Sequence, residues 1–387
     1  MSRVGRAARL AVALSAVVLG SSSAAFALPT MIRLGYSNCA ACHISPQGGG
    51  PLNAYGRGID EAQSLRSAEY RPSENPIVKA LSARGRIVQD FRAVFTEQGS
   101  WTTRQAGTNT FRPRLMYRNV TELGKGFRLA GIVTGETEFA PRPPLPYDPP
   151  ASTSKVAVNT ALVHYRASKS LEFAAGKDRL PTGVEIPDLA AFVRSRNRSG
   201  FYDSPAQLKA FWGGKRFQIM PFVYAPGGNE PGGERESGAG TLAEFELSGK
   251  GTTVVGVSLL RGAAAEGDRR MIGGYTRLGF GPWGILLEHD VTDRSRDSPL
   301  AAGSFQQQAS YAQVFWAVRE WLVASAIGER LRVDQPFAER LVAGKLELAA
   351  RLTNQASVGV GVRAQRNQLA RVWGRSITLQ LAVKSAQ

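Results

Sequence analysis

Two cysteines, three histidines and five methionines are all the thiol, imidazole and thioether groups that 387 residues contain. So low a cysteine count excludes a disulfide-rich scaffold, in which bridges substitute for a core. Long apolar runs are missing as well. The run from Leu10 to Gly20 falls well short of the ~18–20 residues that a membrane-spanning helix needs, and no later stretch is long and apolar enough. Any membrane contact must therefore be interfacial or made by a β-barrel. Acidic side chains are scarce beside basic ones, 31 against 48, which leaves a net charge of +17.

The first residues place Arg3, Arg6 and Arg9 before that apolar run, then Ser21 to Ser23 and the small-residue site Ala25-Phe26-Ala27. This order predicts a secretory signal peptide over residues 1–27, cleaved after Ala27. No cysteine follows closely enough for lipid attachment. Losing three arginines takes the formal charge from +17 to +14. A basic balance points to anionic partners, but export to the cell envelope argues against nucleic acid. Lipopolysaccharide, acidic redox partners or an arginine-lined pore interior suit that compartment.

Cys39 and Cys42 are followed at once by His43. C-x-x-C-H is the attachment signature of c-type haem: each thiol adds across one haem vinyl group, and the histidine supplies imidazole to the iron. A disulfide of the thioredoxin kind would need a strand-to-helix setting, which Tyr36-Ser37-Asn38 and the Ser45-Pro46-Gln47-Gly48-Gly49-Gly50 stretch do not provide. A zinc site would need a further ligand near by, and His164 and His289 are the only other histidines. The expected cofactor is one covalent haem c, held by Cys39, Cys42 and His43, with His43 as the proximal iron ligand.

Residues 28–83 are rich in Gly and Pro and weakly periodic, with a short helix expected at Gly58 to Ala68 after a Tyr55-Gly56-Arg57 turn. A covalent haem can serve as the core that so short a segment cannot build alone. From Arg84 onward nearly every segment reads as a strand of alternating polarity. Arg112, Arg114, Met116 and Arg118 oppose Phe111, Leu115 and Tyr117, with a slip at Asn119 and Val120 that predicts a bulge or the strand's end. Arg128, Thr134, Glu136 and Glu138 oppose Leu129, Val133 and Phe139. Ser376, Thr378, Gln380 and Lys384 oppose Ile377, Leu379, Leu381 and Val383.

Hairpin signals give sixteen strands, near 84–97, 111–122, 127–139, 156–167, 171–178, 206–213, 216–225, 241–248, 252–260, 270–279, 283–292, 305–317, 320–331, 341–350, 355–365 and 372–385. Tight connections at Ser168-Lys169-Ser170, Gly213-Gly214, Ser248 to Gly251 and Gly281-Pro282 alternate with long ones, Arg179 to Pro205 and Ala225 to Gly238. The expected fold is all-β: an outer-membrane antiparallel barrel of about sixteen strands over residues 84–387, preceded by a short, loop-rich haem segment. A soluble sandwich or propeller would show a more mixed surface. The chain lacks the terminal aromatic residue common in such barrels, ending Val383-Lys384-Ser385-Ala386-Gln387.

The sixth iron position has several candidates. Residues 44 to 115 hold neither methionine nor histidine, so a free-standing small cytochrome fold is not supported. Met31 precedes the motif; Met116, His164, Met220, Met271 and His289 lie in the barrel region, where methionine is usually apolar filler. Parity places His164 with Thr160, Leu162 and Arg166, and Met116 with the arginine face. If the apolar faces meet lipid, both point into the lumen, so His164, Met116 and Met31 are the candidate distal ligands. An open or water-bound position is a further option, and His164 would otherwise be a lumen-facing polar residue.

A signal peptide, one N-terminal C-x-x-C-H and about sixteen strands resemble the fused monohaem cytochrome c-porin family of the outer membrane, of the iron-oxidase type. The likeness covers the whole architecture, but only Cys39, Cys42 and His43 form a specific motif. It implies an Fe(II)-oxidase type of electron transfer, from an extracellular donor such as Fe(II) through the haem to a periplasmic carrier, a soluble cytochrome or similar. It leaves the donor unidentified, since nothing in the sequence is an iron-binding motif. A covalent haem beside or inside a membrane barrel would also let current cross a layer that no soluble carrier can. The alternative of another class is a porin-like channel whose haem segment is a plug or redox gate.

Overall fold

The computed structural model describes residues 29–37, 39, 42–43, 52, 54–63, 87–103, 107–137, 154–186, 191–200, 202–227, 235–265, 267–298, 301–353 and 355–384. The expected signal peptide, the boundary between residues 83 and 84, and Glu138 and Phe139 lie outside the described residues.

Alternating side chains and Gly-rich turns produce sixteen strands: β1 Ile87–Thr102, β2 Thr108–Gly124, β3 Phe127–Thr137, β4 Ser154–Arg166, β5 Leu171–Lys177, β6 Ala206–Gly213, β7 Phe217–Ala225, β8 Glu236–Glu246, β9 Thr253–Ala264, β10 Gly267–Phe280, β11 Trp283–Ser298, β12 Ala301–Arg319, β13 Leu322–Val333, β14 Glu339–Arg351, β15 Ala356–Asn367 and β16 Val372–Lys384. Each pairs antiparallel with its sequence neighbours, and β1 pairs β16 from Arg92↔Lys384 to Thr102↔Gly374, which closes the barrel. Closure removes the free edge strand that an open sheet would expose. All sixteen strands expected from the sequence are present.

Turns at Lys125-Gly126, Gly281-Pro282 and Glu320-Trp321 join strands at one end. The start of β1 and the end of β16 share that tight-turn end, and residues 138–153, 178–205 and 226–235 connect strands at the other. The faces divide as parity requires. Phe91, Leu115, Val163, Leu208, Ile272, Leu346 and Leu379 are exposed on the outside, whereas Asp90, Arg118, His164, Glu172, Glu288 and Glu329 are buried inside. At the tight-turn end the outward residues are aromatic: Phe127 stacks on Tyr165 at 4.5 Å and Trp283 on Trp316 at 5.3 Å. An apolar outside edged with aromatics over a polar interior is how a strand barrel meets lipid.

Two expectations are corrected. No bulge or strand end occurs at Asn119 and Val120: β2 continues in register through Asn119↔Gly131 and Val120↔Ala130, and its irregularity falls between Glu122 and Gly124. Val120 points inward, buried with Ala130 against Val88, so the inner wall accepts an apolar cluster where alternation predicts a polar face. The short helix is Ala54–Ala62, earlier than Gly58 to Ala68, and the Tyr55-Gly56-Arg57 stretch lies within it rather than turning before it.

The long connection after β5 folds inward instead of standing outside. Val184, Ile186, Phe192 and Val193 pack in one cluster with wall residues Phe211, Leu286, Tyr311, Phe315, Ile327 and Leu341. Burying these side chains is what draws the segment into the lumen, at roughly 1.5–3 kcal/mol per large apolar group.

Candidate functional site

The N-terminal segment lies against the inner wall at the tight-turn end. Its 3-10 helix Pro29–Leu34 buries Ile32 in the same cluster as the inward connection. Gly279 of β10 permits this approach, because a Cβ there would stand 2.5 Å from the Cα of Arg33. Beyond the helix, Cys42 and His43 both donate backbone N–H groups to the Cys39 carbonyl, at 3.2 and 2.9 Å, forming a single helical turn. Gly56 packs so closely under that turn that a Cβ would meet the Cys42 carbonyl oxygen at 2.2 Å.

Local contacts fold the segment around the motif. His43 bridges Leu52 in an isolated antiparallel pair, Tyr36 and Tyr55 share a hydroxyl hydrogen bond, and Gln63 Nε2 donates to Met31 Sδ at 3.6 Å. Cys39 and Cys42 are not joined in a disulfide. Burial pushes the Cys39 thiol up, with Arg277 pulling against it, and burial pushes the Cys42 thiol up as well. Among the described residues no three His, Cys, Asp or Glu side chains converge on a metal position.

Two charged anchors fix the segment. Arg277 of β10 donates to Cys39 Sγ at 3.5 Å and to the Ser37 carbonyl at 3.2 Å, while Glu244 of β8 accepts from it at 2.6 Å. Asp60 of the helix Ala54–Ala62 receives Arg351 on Oδ1 and Lys384 on Oδ2, each at 2.9 Å. Burial pushes the Asp60 carboxyl up, but Arg351 and Lys384 outweigh it and hold the group below its ordinary value. Parity in the sequence puts Lys384 on the polar face with Ser376, Thr378 and Gln380. Nothing in the sequence links Asp60 to Arg351 and Lys384, 291 and 324 residues away.

The three candidate distal ligands separate. Met31 belongs to the same N-terminal segment as Cys39, Cys42 and His43. Met116 packs on the wall against Val94 and Ala382. His164 is wholly buried, its Nδ1 3.0 Å from Glu172 Oε1, and Glu172 also accepts from Arg128 at 2.7 Å and Arg166 at 3.1 Å. His289 lies outside the barrel, hydrogen-bonded to Ser310 at 2.8 Å, and Met220 and Met271 are core residues.

Two features of the lumen were not expected from sequence. On β1 to β5 the charges repeat a motif of two guanidinium groups on one carboxylate: Arg92 and Arg118 on Asp90, Arg112 and Arg114 on Glu136, Arg128 and Arg166 on Glu172. Each group keeps one net positive charge. On the facing side the inward connection is fastened by Arg194, which meets Glu288 at 2.7 Å and also binds the Thr182 carbonyl. Burial lowers the Arg194 guanidinium, but Glu288 and Asp290 more than compensate, so it stays charged.

No protein-family model matches the chain, and no curated protein sequence is significantly similar to it. Solved structures are similar in fold. OprB of Pseudomonas putida at high pH superposes with a TM-score of 0.61 at 8% identity, covering 82% of this chain and 99% of that one. The anion-selective porin from Comamonas acidovorans gives 0.55 at 12% identity, covering 77% and 100%. The outer membrane channel DcaP of Acinetobacter baumannii gives 0.55 at 9% identity, covering 78% and 98%. At these identities the likeness is one of architecture: the chain has the closed sixteen-stranded fold of the outer-membrane porins.

Proposed function

We propose that this chain is an outer-membrane channel of porin type whose tight-turn mouth holds its own N-terminal segment as a haem-bearing plug or redox gate. The observation that carries this is the pair of anchors, Arg277 on Ser37 and Cys39 and Asp60 on Arg351 and Lys384, which tie residues 29–63 to the inner wall. That mouth would face the periplasm, a reading supported by the short turns at this end, since short turns face the periplasm in bacterial barrels. The paired guanidiniums on β1 to β5 would favour anions in the lumen, in keeping with the anion-selective porin among the similar structures.

The haem reading rests on the helical turn at Cys39. Residues three and four apart on a turn are neighbours, so Cys39 and Cys42 would attach a haem through two thioether bonds and His43 would supply a nitrogen to its iron. A haem held there would supply one-electron chemistry. For the sixth position, placement favours Met31, the one candidate within the same segment, over Met116 and the fully enclosed His164.

The second reading, transfer of electrons from an extracellular donor such as Fe(II) to a periplasmic carrier, draws on the same motif. Purification of the outer-membrane fraction tests the first point: the chain should migrate as a heat-modifiable band that stains for haem after denaturation. Cys39→Ala with Cys42→Ala should remove the stain and leave the barrel. Recovery of folded protein in the soluble fraction without detergent would reject the membrane reading. Conductance that changes with haem redox state supports the gate; haem reduced by external Fe(II) in intact cells supports electron transfer.

A further inference from the structure

Seven arginines face outward on β9 to β16, toward the long-connection end. Among them are Arg261, Arg270, Arg330, Arg332, Arg340 and Arg366, and parity, not loop geometry, sets their direction: each alternates with a residue turned into the lumen. Two cross-strand pairs set like charges directly opposite, Arg261↔Arg270 and Arg332↔Arg340. Like charges in that position destabilise a bare sheet, and two guanidiniums side by side suit one shared phosphate. Asp268, Asp293 and Asp334 lie on the same stretch and offset part of the charge; Arg332 meets Asp334 at 3.0 Å with both side chains over 40% exposed.

Height identifies the occupant. Arg270 stands ten residues along β10 from Phe280, and Arg340 ten residues along β14 from Ala350. Ten residues span about 33 Å of strand, which a tilt of about 40° reduces to about 25 Å of height, the thickness of the apolar band of an outer-membrane barrel. The aromatic row at the tight-turn end marks one edge of that band, so the arginines mark the other. Arg366 lies over the ring of Trp373 at 5.5 Å, an aromatic of the kind that seats at a membrane interface.

We infer that the outward arginines of β9 to β16 form a docking surface for phosphorylated headgroups of outer-leaflet lipid. This rests on the barrel spanning the outer membrane. The full chain in mild detergent should bind lipopolysaccharide, seen as a mass shift in native mass spectrometry, and should not bind the same lipid after chemical dephosphorylation. Arg261→Gln, Arg270→Gln, Arg332→Gln and Arg340→Gln combined should weaken binding at least about tenfold, because they remove both like-charge pairs that would share a phosphate. Lys125→Gln with Lys169→Gln, at the opposite end, should change nothing. Equal lipid binding by the fourfold variant overturns the inference. So does full displacement by inorganic phosphate, which would indicate a free-anion site, or loss of an oligomer without loss of lipid, which would indicate contact between copies. Heat-modifiable migration, followed in parallel, reports on the membrane reading separately.

Discussion

Arg194 shows what one buried charge does in this lumen. Its guanidinium joins Glu288, the Thr182 carbonyl and the Val184 carbonyl, and Glu288 also accepts from the Val184 N–H at 2.9 Å. Arg194→Met would leave Glu288 buried without its cation, a loss of roughly 3–5 kcal/mol for a pair of this kind. The inward connection should then detach, and limited trypsin digestion should cut the folded variant at Arg196 and Arg198 while wild type resists. Glu288→Gln, which keeps an acceptor for Val184, should expose those sites less. If Cys39, Cys42 and His43 hold haem as proposed, Met31→Ala should shift the reduced Soret band and the reduction potential, whereas Met116→Ala and His164→Ala should move neither. A shift seen only with His164→Ala would require the enclosed imidazole to open toward the iron, contrary to the assignment of Met31.

The helix Ala54–Ala62 is tied to the wall through Asp60, so its docking should depend on acid. Since the folded group titrates below its ordinary value of 3.8, its contribution is complete above 3.8 and disappears as pH falls through the lower folded value. Asp60→Asn removes the charge at every pH and should weaken docking by about 2 kcal/mol, roughly thirtyfold. In planar bilayers the variant should conduct more than wild type at neutral pH, and wild type should approach it only in acid below 3.8. Equal conductance of the two at neutral pH would remove Asp60 from the anchor. Gly279→Leu attacks the other anchor by forcing the backbone of Arg33 off β10 and should also raise conductance. The strands were legible because each buries one face and a period of two is visible in residues such as Ser376 to Val383. The anchors were not, because Asp60 and Arg351 meet only once the barrel closes. Val120 and the bulge opposite Ile132 and Val133 escaped for a related reason: the inner wall is partly a core, and alternation of polarity fades wherever both faces are apolar. Val184, Ile186, Phe192 and Val193 were the available sign that the connection after β5 folds inward, since an exposed loop gains nothing from four large apolar side chains.

At the scale of the whole barrel the charges are sorted. Apolar packing and the inward connection occupy the β6 to β14 side, and the doubled guanidiniums occupy β1 to β5, so an ion in the lumen would pass a cationic wall facing a largely neutral one. A pore that focuses positive potential between low-dielectric walls concentrates anions and repels cations. Under a salt gradient the reversal potential should therefore show anion preference, strongest at low ionic strength and fading toward 1 M, where the screening length shrinks to about 3 Å. Arg112→Gln with Arg114→Gln leaves Glu136 without either guanidinium and turns one net positive cluster negative, so the preference should shift toward cations. The shift should appear in the Asp60→Asn background too, because selectivity belongs to the wall and occlusion to the plug. If the double arginine variant changes conductance but not reversal potential, these arginines line no conducting path, and permeation must follow the other wall.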